Sequence, residues 1–150
     1  MNRIICFDLD GTVSEISRFY TCLVRTEPKN WTAFKMHIPQ DKPISQILFL
    51  WKLLQDQDNV KIIVSTARDE GCREETEKWL KKHDLKYEKI FMREKGFHGD
   101  DVIVKLENAK KIEEEFGKID MIFDDRNKVV KAYTENGYFV MDVSQGAGNF

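Results

Sequence analysis

Cysteine, proline and charge of one sign are all scarce in this 150-residue chain, and each scarcity excludes something. The three cysteines, Cys6, Cys22 and Cys72, form no CxxC pair, and any disulfide scheme leaves one over. That usage fits a reducing compartment better than a secreted, disulfide-stapled scaffold. Formal net charge is −2, so there is no overall basic field of the kind that holds nucleic acid non-specifically. A nucleic-acid substrate would have to be gripped locally. No stretch approaches the roughly 20 apolar residues of a membrane span. The opening MNRIICFD carries too short an apolar run for a secretory signal and reads as a first strand. A cytoplasmic protein is expected, with no membrane association and no obligate protein partner. Repeats, low-complexity tracts and linkers are absent as well, so residues 1–150 are expected to form a single domain.

What is present is an ordinary globular composition, 41% hydrophobic and 33% charged. Short apolar runs at residues 3–7, 60–65, 89–92, 119–123 and 138–143 read as strands buried on both faces. Helical patterns alternate with them. Residues 44–55 are rich in Leu, Ile, Phe and Trp; Cys72, Thr76, Trp79 and Leu80 follow helical spacing. Val102, Leu106, Ala109, Ile112 and Phe116 form one stripe, with Gly117 as its stop, and a short helix covers residues 128–135 before Gly137. The alternation predicts an α/β, Rossmann-like parallel sheet flanked by helices.

All three prolines fall within residues 14–43, which show no clean period. This segment is read as a small, partly helical, cap-like insertion after strand 1. It would lie over the C-terminal edge of the sheet, where open α/β sheets bind ligands. The alternative is a long connection with no role.

Four clusters carry chemistry. The first is Asp8-Leu9-Asp10-Gly11-Thr12, directly after the first strand. Carboxylates at i and i+2 face one side of an extended chain, and Gly11 lets the backbone turn sharply. The pair supplies a nucleophile and a second carboxyl group that passes protons; taken alone, the cluster could equally be a solvated turn. The second is Ser65-Thr66-Ala67-Arg68, where Thr66 would bind a phosphoryl oxygen and Arg68 clamp another phosphate oxygen. Strands also end in Ser or Thr merely as caps. The third is Lys105, four residues after Asp101; it could point at the sheet edge or form an exposed pair with Asp101. The fourth is Asp124-Asp125-Arg126 after a buried strand. Paired carboxylates there are costly unless a cation neutralises them. Asp8, Asp10, Asp124 and Asp125 together ask for a hard divalent ion with oxygen ligands, and Mg2+ suits them.

Taken in order, these residues resemble the DxDxT, strand-end Ser/Thr, Lys and acidic-pair motifs of the haloacid dehalogenase-like phosphohydrolase superfamily. A narrower resemblance is to the 3′-phosphatase half of phage-type polynucleotide kinase-phosphatases. It rests on Ser65-Thr66-Ala67-Arg68, Met92-Arg93-Glu94, Asp100-Asp101-Val102-Ile103-Val104-Lys105 and Phe123-Asp124-Asp125-Arg126. Asn30-Trp31-Thr32-Ala33-Phe34, Asp41-Lys42-Pro43 and the ending Gly148-Asn149-Phe150 add to it. No GxxxxGK[ST] loop occurs, so no kinase half is expected within these residues.

The resemblance implies that Asp8 attacks phosphorus to form an aspartyl-phosphate while Asp10 protonates the leaving oxygen and later activates water. Lys105, Thr66 and Mg2+ would hold the phosphoryl oxygens. Asp125 would be a direct metal ligand, with Asp124 beside it. Thr12, Arg18, Arg68, Arg93, Asp101 and Arg126 would bind substrate, expected to be a phosphorylated nucleic-acid end or nucleotide. Rival readings are a small-molecule phosphatase or 5′-nucleotidase on the same fold, and, more remotely, a receiver-type signalling domain. Phe19, Tyr20 and Trp31 could hold a base, although core packing is the expectation for Trp31. His37, His83 and His98 lack metal-like spacing and are expected at the surface; Cys6 is expected to be buried and inert.

Overall fold

Alternation along the first strand sends its side chains into two cores. In the computed structural model, which describes residues 1–16, 22–23 and 26–149, β1 spans Arg3–Phe7. Ile5 and Phe7 enter one apolar cluster, and Ile4 and Cys6 enter the other. Two buried faces explain why the strand reads as an unbroken apolar run.

The strands β2 (Val60–Asp69), β3 (Lys89–Arg93), β4 (Met121–Asp124) and β5 (Val140–Asp142) join β1 in a sheet ordered β3-β2-β1-β4-β5. Every pairing is parallel. On one face lie α2 (Ser45–Gln55), through Trp51, and α3 (Arg73–Lys82), through Trp79 and Leu80. The Trp51 and Phe7 rings stack at 4.7 Å. The opposite face is covered by α4 (Asp101–Phe116), through Ala109 and Ile112, and α5 (Asn127–Glu135), through Val129 and Tyr133. Five parallel strands between two helical layers are the expected α/β architecture. Among the described residues, no helix is long and apolar enough to cross a membrane.

Two departures from expectation matter for the site. β2 does not stop at residue 65 but continues to Asp69, and its register against β3 slips between Ser65 and Asp69. Four residues on β2 thus span two on β3, from Phe91 to Arg93. Bulges of this kind, at a sheet rim, re-aim side chains. The segment after β1 begins and ends at one place: Ser14 bridges both Asp10 and Pro43. Its described part holds α1 (Trp31–His37), capped by the Asn30 side chain, and a 3-10 turn, Ile38–Gln40. Phe34 and Ile38 are buried, whereas Trp31 is 59% exposed, contrary to the expected core role. Trp31 stands at the first position of its helix and meets the edge of the Phe34 ring at 6.1 Å.

Candidate active site

The three central strands deliver their C-terminal ends to one place. Asp8 follows β1, Thr66 lies on the β2 bulge, and Asp124 closes β4 with Asp125 behind it. The Asp8 amide donates to the Phe123 carbonyl at 3.0 Å, which locks the β1 exit beside β4. Beyond it the chain turns tightly: the amides of Thr12, Val13 and Ser14 all donate to the Leu9 carbonyl. Gly11 sits at φ +86°, and a Cβ there would run into the Asp125 carboxylate, whose Cγ would lie only 2.6 Å away. Only glycine permits this approach of loop to carboxylate.

Oxygens of Asp8, Asp124 and Asp125 lie within 4.8 Å of one another, and all three residues are buried. Lys105, buried on α4, is the cation among them. Its Nζ donates to Asp8 Oδ1 at 2.7 Å, Asp124 Oδ2 at 2.9 Å and the Ser65 carbonyl at 2.8 Å. The buried reading of Lys105 holds, and the exposed pair with Asp101 does not form. Asp124 Oδ1 accepts from the amides of Asp125 and Arg126, so Asp124 has partners on both oxygens. The Thr12 hydroxyl lies within hydrogen-bonding distance of Asp8 Oδ2 (3.1 Å) and Asp125 Oδ1 (3.3 Å).

One ammonium facing three buried carboxylates leaves negative charge uncompensated. Burial, and then repulsion from Asp124, hold the Asp8 carboxyl well above the usual range despite Lys105. The same causes push Asp125 up to about 6. Burial works against the Lys105 ammonium, but Asp124 and Asp8 outweigh it and raise its pKa. A cluster of hard oxygen donors with excess negative charge fits Mg2+ in donor type and sign, and contains no thiolate or imidazole that would favour a softer metal.

Asp10 is placed differently from the expected four-acid set. Its carboxylate is held by Arg68, Nε to Oδ2 at 2.9 Å and Nη2 to Oδ1 at 2.8 Å, and it is not one of the three clustered carboxylates. The β2 bulge makes this possible by carrying Arg68 across the end of β1. Arg68 is itself enclosed, with its side chain 2% exposed. Its Nη1 donates to Thr76 Oγ1 at 3.0 Å, Asp41 Oδ2 lies 3.7 Å from Nη2, and the Phe34 ring sits 5.4 Å from the guanidinium. A guanidinium so engaged holds Asp10 in place, where the expectation was a clamp on a substrate phosphate.

The remaining predicted residues divide. Thr66 is buried at the strand end; its Oγ1 accepts from the Arg68 amide at 3.1 Å, which leaves the hydroxyl proton for another acceptor. Thr12, expected to touch substrate, is fully buried and spent on the two carboxylates. Asp101 sits between Arg93 and Arg126, accepting from Arg93 Nη2 at 2.5 Å and from Arg126 Nη1. Arg93 also donates to the carbonyls of Ala67, Phe97 and Gly99, so it braces the loop ahead of α4. Arg18, with Phe19, Tyr20 and Phe150, lies outside the described residues. Sequence reasoning gave no role to Asp41 and Thr76, which anchor Arg68, or to Asn108, whose amide donates to Ser65 Oγ and the Phe91 carbonyl. Thr76 was concealed by its place in an apolar stripe, where helical spacing alone marks it as a packing residue. Gly148, in the tail, packs so closely on the Asp125 carbonyl and Asn127 that a side chain there would collide with both.

No curated protein matches the chain. Among solved structures it is similar to chains of the Pnkp1/Rnl/Hen1 complex and the Pnkp1/Rnl/Hen1 RNA repair complex, both 27% identical with a TM-score of 0.71. The match covers 95% of this chain but 45% and 42% of those chains, so this chain spans less than half their length. A haloacid dehalogenase-like family hydrolase from Streptococcus pneumoniae, 16% identical, shares the fold with a TM-score of 0.64 over 94% of this chain and 84% of that one. The family model for the polynucleotide kinase PNKP phosphatase domain matches residues 2–150. The chain belongs to that phosphatase-domain family, within the haloacid dehalogenase-like hydrolases.

Proposed function

We propose that this phosphatase is Mg2+-dependent and removes 3′-phosphates from nucleic-acid ends or nucleotides through an aspartyl-phosphate. The observation that carries the chemistry is the Asp8–Lys105–Asp124 bridge, with Asp125 adjoining, at the C-terminal rim of a parallel sheet. The 3′ preference rests on the family match, and residues 14–43 are read as a cap over the site.

Asp8 attacks phosphorus in line; Lys105 aims its carboxylate and favours the ionised form, which burial and Asp124 oppose and a bound cation would restore, and the Thr12 hydroxyl adds a further contact. Mg2+, held through Asp8 and Asp125 with Asp124 beside them, would neutralise charge between nucleophile and phosphate and polarise the phosphoryl group. Thr66 offers its hydroxyl proton to a phosphoryl oxygen. Asp10 passes the proton to the leaving oxygen, then takes one from the water that hydrolyses the intermediate. Arg68 meets both Asp10 oxygens, so loading a proton on Asp10 requires one oxygen to turn from the guanidinium.

The test is a panel of 3′- and 5′-phosphorylated nucleotides and oligonucleotides, with Mg2+ and with a chelator, on the wild type and Asp8→Asn. The expected result is Mg2+-dependent release from 3′-phosphates and none from Asp8→Asn with an unchanged circular-dichroism spectrum. A preference for 5′-phosphates would replace the substrate reading with a 5′-nucleotidase; an active Asp8→Asn would remove Asp8 from the mechanism.

A further inference from the structure

A cleft of about 320 Å³ opens directly from the carboxylate cluster, with Gly11 and Asp125 at its inner end. Its walls come from the start of α2, through Ile44 and Gln46, and from the turn after β5, through Val143, Ser144, Gln145 and Ala147. Asp125 is the charged group among the described residues that line it; lysine and arginine are absent from them. This is the reverse of what a surface that tracks a phosphate backbone requires. Among the described residues, Arg68 is engaged with Asp10, and Arg93 and Arg126 with Asp101.

The polar side chains on the walls, Gln46, Ser144 and Gln145, are neutral. Gln46 and Gln145 are exposed side chains. Gln46 Oε1 accepts from Ser45, and among the described residues no hydrogen bond is recorded to its amide nitrogen or to the Gln145 amide. Gln145 is fixed by its backbone, in the left-handed region at φ 53°, within a turn closed by Ala147 N donating to the Ser144 carbonyl. Apolar walls, a few neutral donors and acceptors, and a volume near the lower end of the ~300–1,000 Å³ range of small-molecule sites describe a pocket for one compact ligand.

We infer that this cleft holds the nucleoside that carries the scissile phosphate, with Gln46 and Gln145 reading its polar edge and Ile44 and Val143 packing on its apolar surface. This deepens the proposed 3′-phosphatase reading and rests on it. Recognition then comes from the terminal nucleoside, and upstream phosphates add little.

The experiment compares kcat/KM for thymidine 3′-monophosphate, phenyl phosphate and a 3′-phosphorylated decanucleotide, for wild type and the Gln46→Ala/Gln145→Ala double variant. Both glutamines are exposed, so neither replacement empties the core. The double variant should lower the mononucleotide-to-phenyl-phosphate ratio about tenfold or more. For wild type, the decanucleotide should gain no more than about threefold over the mononucleotide, with a shallow dependence between about 50 and 200 mM salt. An unchanged ratio, or a decanucleotide preferred by a hundredfold with steep salt dependence, would overturn the inference. Equal rates on 3′- and 5′-mononucleotides would instead remove the 3′ reading, while the variants still judge the cleft. Nuclear magnetic resonance shifts at Gln46, Ser144 and Gln145 on adding thymidine alone give a reading independent of turnover, and their absence would also overturn it.

Discussion

Arg68 grips Asp10 through two parallel hydrogen bonds, 2.9 and 2.8 Å long, although the two residues lie 58 positions apart. The pair links the bulge of β2 to the turn after β1, so the group proposed to carry the proton is positioned by a buried fork.

The first prediction follows from that fork. Arg68→Lys keeps the charge but loses the two-pronged geometry. It should lower kcat by about a hundredfold, the order expected for a misplaced catalytic group, while KM changes little. Steady-state kinetics on one substrate decide this. A raised KM with kcat preserved would mean that Arg68 binds substrate after all.

Lys105→Met removes the ammonium that joins Asp8 to Asp124 and leaves two buried carboxylates facing each other. Loss of one partner from such a buried network costs about 3–5 kcal/mol, so denaturant midpoints in chelator should fall sharply. Methionine fills similar space, which keeps the loss electrostatic and not a matter of volume. Added Mg2+ should restore part of that stability but not turnover. A midpoint within error of wild type would show that Lys105 is not needed to offset the carboxylates.

Under the proposed mechanism, protons would compete with Mg2+ for the carboxylates of the cluster. Asp125 is raised to about 6 by burial and by Asp124, so its protonated form is favoured in the folded state. That contribution to stability is complete below the unfolded value near 4 and is lost as pH rises through about 6; it is at most roughly 3 kcal/mol. Asp8 shifts in the same direction, again chiefly through burial. In chelator, Asp125→Asn should therefore gain stability over wild type as pH rises from 5 to about 7.5. Mg2+ should close that gap by stabilising wild type, the more so at the higher pH. Thermal melts at several pH values, with and without Mg2+, measure both effects; a gap independent of pH and metal would contradict the charge balance proposed for the cluster.

How much of this was readable beforehand depended on whether a residue's role was local. β1 was placed to the residue because an apolar run ending in Asp8 has one reading. Asp8, Asp124 and Asp125 were picked out by residue type at strand ends, whereas residue type left Lys105 between the sheet edge and an exposed pair with Asp101, and the family resemblance favoured the first. Arg68 was singled out for a substrate phosphate, and its partner in the fold is Asp10. The bulge that turns it to Asp10 is set by a register slip against β3, which pattern within β2 does not encode. Asp41 and Thr76 are important only because Arg68 arrives between them. Trp31 misled through composition: tryptophans favour interiors, but the residue that α1 buries is Phe34.

Gly11 gives the most local test of the close contact between the first loop and Asp125. Alanine there meets two obstacles at once: φ of +86° disfavours any side chain, and the new Cβ would overlap the Asp125 carboxylate. The loop or Asp125 must move, and either shift disturbs the three-carboxylate cluster. Gly11→Ala should therefore weaken Mg2+ activation and lower kcat, with a modest stability loss of about 1–3 kcal/mol. Gly117→Ala is the matching control, since it also has positive φ but a Cβ there meets nothing within 4 Å. It should show the backbone cost without the metal defect. If both variants keep wild-type Mg2+ dependence, the overlap with Asp125 is not what requires glycine at position 11.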